Sequence, residues 1–246
     1  MSAPQRIAKF IAAAGLCSRR DAERWITQGR VALNGAVLTT PAVLVGEGDV
    51  VAVDGKKIAA PDAAEVPRLF AYHKPAGLVT THRDPEGRPT VFDDLPRDLP
   101  RVVSIGRLDL DSEGLLLLTT SGALARALEL PANAQARTYR VRIRGTPMET
   151  HLAQLARGVE VEGVRYQPIE AVVEREKQGR NQWLTLTLRE GKNREIRRIF
   201  EHFDLPVSRL IRVAYGDFDL ADLAPGEVAE VAAVDVVRLM TRLGVG

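Results

Sequence analysis

Residues 137–144 read Arg-Thr-Tyr-Arg-Val-Arg-Ile-Arg, so that Tyr139, Val141 and Ile143 alternate with Arg140, Arg142 and Arg144. A period of two puts the first set on one side of a β-strand and the arginines on the other. The segment therefore belongs to a sheet with one apolar and one basic face. Residues 68–73 and 183–188 read as further strands, and the four leucines at 115–118 as a buried one. Two segments carry helical spacing instead. Thr146-Pro147-Met148-Glu149 is a helix start followed by Leu152, Leu155 and Ala156, while Ile196, Ile199, Phe200 and Phe203 mark a second helix after Gly191. The expected class is α+β.

The first 60 residues form a module of different pattern. Ile7, Phe10, Ile11 and Ala14 share a helical face that Gly15 ends. Ser18 with Asp21 resembles an N-cap pairing for a second helix over Ala22, Trp25 and Ile26, stopped by Gly29. Asn34-Gly35 then signals a hairpin, and residues 50–56 supply another strand and turn. Arg19, Arg20, Arg24 and Arg30 cluster around the second helix, with Arg20 and Arg24 at i and i+4. They are candidates for gripping phosphates, against the alternative of an ordinary solvated face. The bracketing prolines of residues 61–67 mark a linker, so the expected domains are 1–60 and 68–246.

The formal charge of +2 conceals a division. Residues 213–246 hold six acidic and two basic side chains, a net of −4, which leaves +6 on residues 1–212. Positive charge clustered as above favours a polyanion as partner. One cysteine, Cys17, excludes an internal disulfide, and the four histidines are too scattered for metal-ligand spacing, so no metal is expected. No apolar run reaches about 18 residues and the start lacks signal-peptide features, which leads to the expectation of a cytoplasmic protein without membrane contact.

Residues 106–116, Gly-Arg-Leu-Asp-Leu-Asp-Ser-Glu-Gly-Leu-Leu, set Asp109 and Asp111 between two glycines just before an apolar strand. The glycines and polar turn formers disfavour a helix interior, so at least one carboxylate is expected to face a cleft. The alternative is that Asp111, Ser112 and Glu113 only shape a turn. Residues 74–89 form a loop rich in Gly, Pro and charge that offers His82, Arg83 and Arg88. Lys192, Arg194, Arg197 and Arg198 crowd the start of the later helix, where cations oppose the helix dipole unless an anion offsets them.

Gly106-Arg107-Leu108-Asp109 with Ser112-Glu113-Gly114-Leu115, Lys74-Pro75-Ala76-Gly77, Arg137-Thr138-Tyr139 and residues 191–198 (Gly-Lys-Asn-Arg-Glu-Ile-Arg-Arg) together resemble the RsuA/RluB group of ribosomal RNA pseudouridine synthases. The likeness runs from about Arg6 to Tyr215, and its first part, including Ser18-Arg19-Arg20-Asp21, is similar to an S4 domain that binds structured RNA. The resemblance implies a small S4-like domain followed by a catalytic domain with a mixed, largely antiparallel sheet flanked by helices. It implies no cofactor. By the same likeness Asp109 is the catalytic carboxylate, Tyr139 stacks on the target base, Arg197 pairs with Asp109 with Arg194 as the alternative, and Ile196 lines the base pocket. Arg107 fills the gap left by the flipped nucleotide or clamps a phosphate. Lys74, Lys192, Arg194 and Arg198 join the amino-terminal arginines as expected RNA contacts.

The segment around Gln182-Trp183 and residues 207–212 looks more like the large-subunit branch of that group, which implies 23S rRNA, free or within an assembling particle, bound by a monomer. A 16S substrate and a non-catalytic RNA-binding assembly factor are the alternatives. A sugar-bond hydrolase is disfavoured because no second catalytic carboxylate of the glycosidase type is identifiable.

Overall fold

The computed structural model describes residues 4–59 and 65–245, and for residues 176–178 the backbone only. Most of the linker expected at 61–67 lies outside the described residues. The chain divides into two compact units, Met1–Val66 with Thr120–Gly122, and Pro67–Thr119 with Ala123–Val245.

The first unit contains β1 (Gln5–Arg6), α1 (Ile7–Ala13), α2 (Arg19–Thr27), β2 (Val31–Leu33), β3 (Ala36–Val37), β4 (Leu44–Val45), β5 (Val51–Val53) and β6 (Lys56–Lys57). Ser18 Oγ accepts the Asp21 amide at 3.1 Å, so the N-cap read from the sequence is formed. Asn34 and Gly35 both take positive φ, 51° and 85°, which is the type I′ geometry that matches strand twist and closes β2 onto β3. Asp54-Gly55 repeats the device between β5 and β6. Ile7, Phe10, Ile11, Ala22, Ile26 and Val31 form the core of this unit.

The second unit is built on a nine-stranded mixed sheet whose main path runs β13-β14-β10-β15-β9-β7-β17. Its strands are β7 (Leu69–Lys74), β8 (Val103–Ser104), β9 (Glu113–Thr119), β10 (Arg137–Arg144), β13 (Glu170–Gln178), β14 (Asn181–Leu188), β15 (Val207–Tyr215), β16 (Phe218–Asp219) and β17 (Val228–Glu230). A separate ribbon pairs β11 (Glu160–Val161) with β12 (Val164–Arg165). The helices are α3 (Val91–Asp94), α4 (Gly122–Glu129), α5 (Glu149–Arg157), α6 (Glu195–His202) and α7 (Ala233–Leu243). Every pairing in the large sheet is antiparallel except that of β9 with β15. None of the described helices is long and apolar enough to cross a membrane.

The four leucines of β9 have a structural explanation. Leu115 and Leu117 pack with α4 and α7, whereas Leu116 and Leu118 pack on the other face with Val91, Val102 and Leu108, so both faces of the strand are covered. In β10, Val141 and Ile143 enter the core beneath α5 and α6 while Arg140 and Arg142 face outward. Arg140 lies 4.4 Å and Arg142 5.7 Å from the Trp183 ring, so the guanidinium groups cover an aromatic that would otherwise be open to water. The acidic carboxyl-terminal segment completes the sheet through β17 and packs Val236 and Leu239 of α7 into the core.

Gly114 makes the parallel joint possible. An added Cβ there would stand 2.3 Å from the Arg212 carbonyl oxygen and 2.7 Å from its nitrogen, and φ is +104°. Gly114→Ala is expected to destabilise the protein by about 3 kcal/mol or more, because the obstacle is backbone that cannot step aside. Gly106→Ala, with φ of 68° but nothing within 4 Å, should cost only about 1 kcal/mol. Urea unfolding of both variants measures the difference, and equal midpoints would refute it.

Candidate active site

The segment between β8 and β9 is tied down at Leu108, Asp109, Leu110 and Ser112. Thr80, itself buried, donates from Oγ1 to the Leu108 carbonyl at 2.8 Å and accepts the Leu108 amide at 3.3 Å. Lys74 Nζ donates to the carbonyls of Asp109 at 3.1 Å, Ser112 at 2.7 Å and Pro75 at 3.0 Å. The Gly77 amide takes the Leu110 carbonyl at 2.7 Å, and the Ser112 amide closes a turn onto the Asp109 carbonyl at 3.1 Å. Residues of the Lys74-Pro75-Ala76-Gly77 motif thus hold the backbone on which Asp109 and Asp111 sit.

The start of α6 faces the two carboxylates. Arg194 lies 3.2 Å from Asp111 and 3.7 Å from Asp109. Arg197 places Nε 3.3 Å from the Asp111 carboxylate and donates from Nη2 to the Asp111 carbonyl at 2.8 Å. Its Nη1 reaches the Val207 carbonyl at 3.3 Å, which joins the loop, α6 and β15 through one side chain. The cations at this helix start are offset by carboxylates, as the dipole argument requires.

This corrects the expected pairing. Among the described residues the cation within ion-pair distance of Asp109 is Arg194, and Arg197 serves Asp111. The Asp109 side chain is 38% exposed, so it is open to solvent on one side. The two aspartates also differ in what they can do. Arg194 and Arg197 take up the Asp111 carboxylate, whereas the side-chain oxygens of Asp109 make no hydrogen bond among the described residues. A carboxylate with free lone pairs, a cation beside it and an open approach suits nucleophilic or general-base work.

The RNA pseudouridylate synthase profile matches residues 68–202, and the S4 domain profile matches residues 5–51. The chain belongs to the RNA pseudouridylate synthase family. It is 51% identical over 227 residues to an uncharacterized RNA pseudouridine synthase of Rickettsia bellii (strain RML369-C), covering 92% of this chain and 96% of the relative. It is 43% identical over 219 residues to ribosomal large subunit pseudouridine synthase B of Salmonella typhi, covering 88% and 75% of the two chains. A crystal structure of a pseudouridylate synthase superposes with a TM-score of 0.66 at 26% identity, over 95% of this chain and 99% of the other. The protein is therefore an enzyme that isomerises uridine in RNA, with an S4 RNA-binding domain ahead of an α+β synthase domain.

Within the synthase domain, Tyr139 is partly buried and touches both the core that contains Leu108 and the core that contains Ile196. It lies at the seam between the loop of Asp109 and the helix of Arg194. Ile196 is 4% exposed and packs into the core under β10, β14 and β15, which makes it a support of the helix more than a free pocket wall. Arg107 and Arg198 are exposed and form no ion pair among the described residues. Lys192 pairs with Glu190 and lies 5.6 Å from the Tyr166 ring.

Lys74 is a correction: expected on the RNA surface, it is 0% exposed and spent on three carbonyls. Burial lowers its pKa to about 8 against the pull of Asp109, Asp111 and Glu113. In the amino-terminal unit Arg19 and Arg20 are exposed, Arg24 pairs with Asp21 at 2.7 Å, and Arg30 is held by Asp54 at 2.6 Å over the Trp25 ring. Arg19 and Arg20 form no ion pair among the described residues and have their guanidinium groups available for phosphate, while the other two are engaged within the unit.

Sequence reasoning left Asp111 between a cleft-facing carboxylate and a former of the turn, and it passed over Glu195 and Arg212. Burial opposes ionisation of Asp111, but the hydrogen bond from Arg194 and the charge of Arg197 outweigh it and hold its pKa below the usual carboxylate range. Arg212 is buried, donating to the Leu115 carbonyl at 2.7 Å across the strand joint. Glu195 is 4% exposed, and burial together with the neighbouring Glu190 carboxylate pushes its pKa up to about 8. The signal for Asp111 was present, since four basic residues at one helix start call for more than one carboxylate.

Lys74→Met fills the space but leaves carbonyls without donors, so it should cost about 3 kcal/mol or more and reduce turnover. Thermal unfolding and single-turnover assays measure both effects, and wild-type values would contradict the anchoring role. The raised pKa of Glu195 means that the folded state binds a proton more tightly than the unfolded chain. Its stabilising contribution is full below about pH 4.5 and is lost as pH rises through about 8. The midpoint of wild type should therefore fall relative to Glu195→Gln between pH 6 and pH 9, by about 2–4 °C for each kcal/mol lost. A constant difference across that range would sink the assignment.

Proposed function

We propose that this synthase converts one uridine of ribosomal RNA to pseudouridine, that the RNA is 23S rRNA, and that Asp109 is the reacting carboxylate. The observation that carries the assignment is the asymmetry of the two aspartates: Asp111 is consumed by Arg194 and Arg197, and Asp109 keeps its side-chain oxygens free with Arg194 3.7 Å away. The large-subunit reading is supported by the 43% identity to a relative named for that subunit.

Isomerisation breaks the bond between C1′ and N1, turns the uracil, joins C1′ to C5 and removes the C5 proton. Asp109 begins it either by attacking C1′ or by removing the 2′ proton, and two routes remain chemically open to one carboxylate. The target must leave its stack, at a cost of a few kcal/mol that is least in a loop or strained stem. Tyr139 receives the flipped base by stacking, and Arg107 occupies the gap or holds its phosphate. Arg19 and Arg20 of the S4 domain, with Lys192 and Arg198, contribute phosphate contacts that position the RNA without reading its sequence, while Arg194 is engaged by the carboxylates. The protein acts as a cytoplasmic monomer and uses no cofactor.

Pseudouridine mapping on unmodified 23S and 16S rRNA, incubated with wild type and with Asp109→Ala, tests the proposal. The expected result is a single new 23S site, lost by at least about 10³-fold in rate with the variant, while RNA affinity stays within about twofold. A 16S site would overturn the subunit, and an undiminished rate in the variant would overturn Asp109.

A further inference from the structure

The turn that delivers Arg194 to the carboxylates is unusual. Arg194 adopts a left-handed conformation with φ of 49° and ψ of 33°, and its side chain does not cap α6. A residue with a long side chain takes this conformation rarely, and something must hold it there. Immediately after it, Glu195 turns inward. Glu195 Oε2 accepts the Lys192 amide at 3.0 Å, and the Glu195 amide returns to the Lys192 carbonyl at 3.3 Å. These reciprocal bonds close the residues 192–195 into a tight loop whose tip is Arg194. The Arg198 amide on the Arg194 carbonyl, at 2.9 Å, continues that loop directly into the helix.

The surroundings keep the carboxyl group in this role. Glu190, the nearest acid, is occupied by the Gln167 amide at 2.6 Å and by Lys192 Nζ, so it leaves the Lys192 amide to Glu195. Glu195 is itself buried against Glu190, with which its carboxyl group shares a hydrogen bond, so the side chain is fixed by its packing, by that neighbour and by the bond through Oε2. A residue that served only to fill the core would be apolar at such a place, since burying a carboxyl group beside a second acid is a cost. The cost is tolerated where that carboxyl group performs a task, here accepting the Lys192 amide.

We propose that Glu195 is a positioning residue for the isomerisation: by accepting the Lys192 amide it fixes the left-handed turn that sets Arg194 against Asp109 and Asp111. It touches neither RNA nor the reacting atoms, and it acts through Arg194. The proposal rests on Asp109 being the reacting carboxylate, and it adds that the distance of the cation from Asp109 is set from beneath the helix start.

The test uses the full-length enzyme in single-turnover assays at saturating RNA, with RNA affinity measured separately by filter binding. Glu195→Met retains the volume and removes the acceptor, and Glu195→Gln retains the acceptor. Glu195→Met is expected to lower the rate constant about 10–100-fold while affinity stays within about threefold, because geometry and not phosphate contact is lost. Glu195→Gln should lie within about threefold of wild type. In an Arg194→Ala background Glu195→Met should cost no further rate, as expected when one residue acts only through another.

A wild-type rate for Glu195→Met, a loss confined to affinity, or a full additional loss in the Arg194→Ala background would each overturn the proposal. Should Glu195→Met fail to unfold cooperatively, Glu195→Gln decides alone: a rate reduced tenfold in a stable Gln variant overturns it, and a near-wild-type rate supports it. Asp109→Ala distinguishes failure of the underlying reading. If that variant remains active while Glu195→Met is impaired, the carboxylate assignment has failed and not the turn.

Discussion

A buried ammonium group holds the loop that carries Asp109 and Asp111. Lys74 ends β7, and from there Nζ reaches the carbonyls of Pro75, Asp109 and Ser112. An ion in the interior is stable only when its hydrogen bonds are satisfied locally, and three carbonyl oxygens match the three protons of an ammonium. The arrangement couples the position of Asp109 to the register of the sheet, because Lys74 is paired with Gly114 between β7 and β9. The neighbouring His73 extends the coupling: its ring nitrogen meets the Leu223 carbonyl at 2.6 Å, and its amide donates to the Glu227 carbonyl. The acidic carboxyl-terminal segment therefore braces the strand that carries the clamp.

Electrostatics then separates two aspartates that sequence places two residues apart. A guanidinium bound to two groups at once has little freedom to serve a third, and Arg197, 13% exposed, is committed to Asp111 and Val207. Burial lowers its pKa, but an arginine remains charged at any physiological pH, so the charge stays in place. Asp111 neutralises that charge. Asp109 is left with a longer contact to Arg194, too long to bind its oxygens firmly. One carboxylate supplies the frame, and the other is left available for chemistry.

Much of this was legible in the sequence where the local pattern and the tertiary structure agree. The alternation of β10, the leucine run of β9, the apolar spacing of α6 and the Asn34-Gly35 turn each state a local preference that packing reinforces. Lys74 was misread because a lysine in a glycine- and proline-rich motif ordinarily faces solvent, and only the carbonyls of a loop some 35 residues later bury it. The exchange of partners between Arg194 and Arg197 was illegible for another reason. Both follow Asn193 within a few residues, and the left-handed turn at Arg194 rotates which of them points at Asp109. The parts that family likeness supplied, Tyr139 on the base and Arg107 in the gap, concern RNA and have no signature in spacing at all.

β15 was the least visible element and is the one to which the site is referred. Its segment, Val-Ser-Arg-Leu-Ile-Arg-Val-Ala-Tyr, has only partial alternation, because Arg212 is buried and a register shift occurs where β10 passes it. Yet the Val207 carbonyl receives Arg197, Arg209 holds Glu113 at 2.7 Å, and the Arg212 backbone crosses Gly114 closely enough to exclude any side chain. The loop of Asp109 and the helix of Arg194 are thus each fixed to the same strand, within a span of six residues. An error in either position would have to displace a central strand of the sheet, whose movement is opposed by the hydrogen bonds to β10 and β9 on its two sides. Geometry at the carboxylate therefore inherits the rigidity of the sheet.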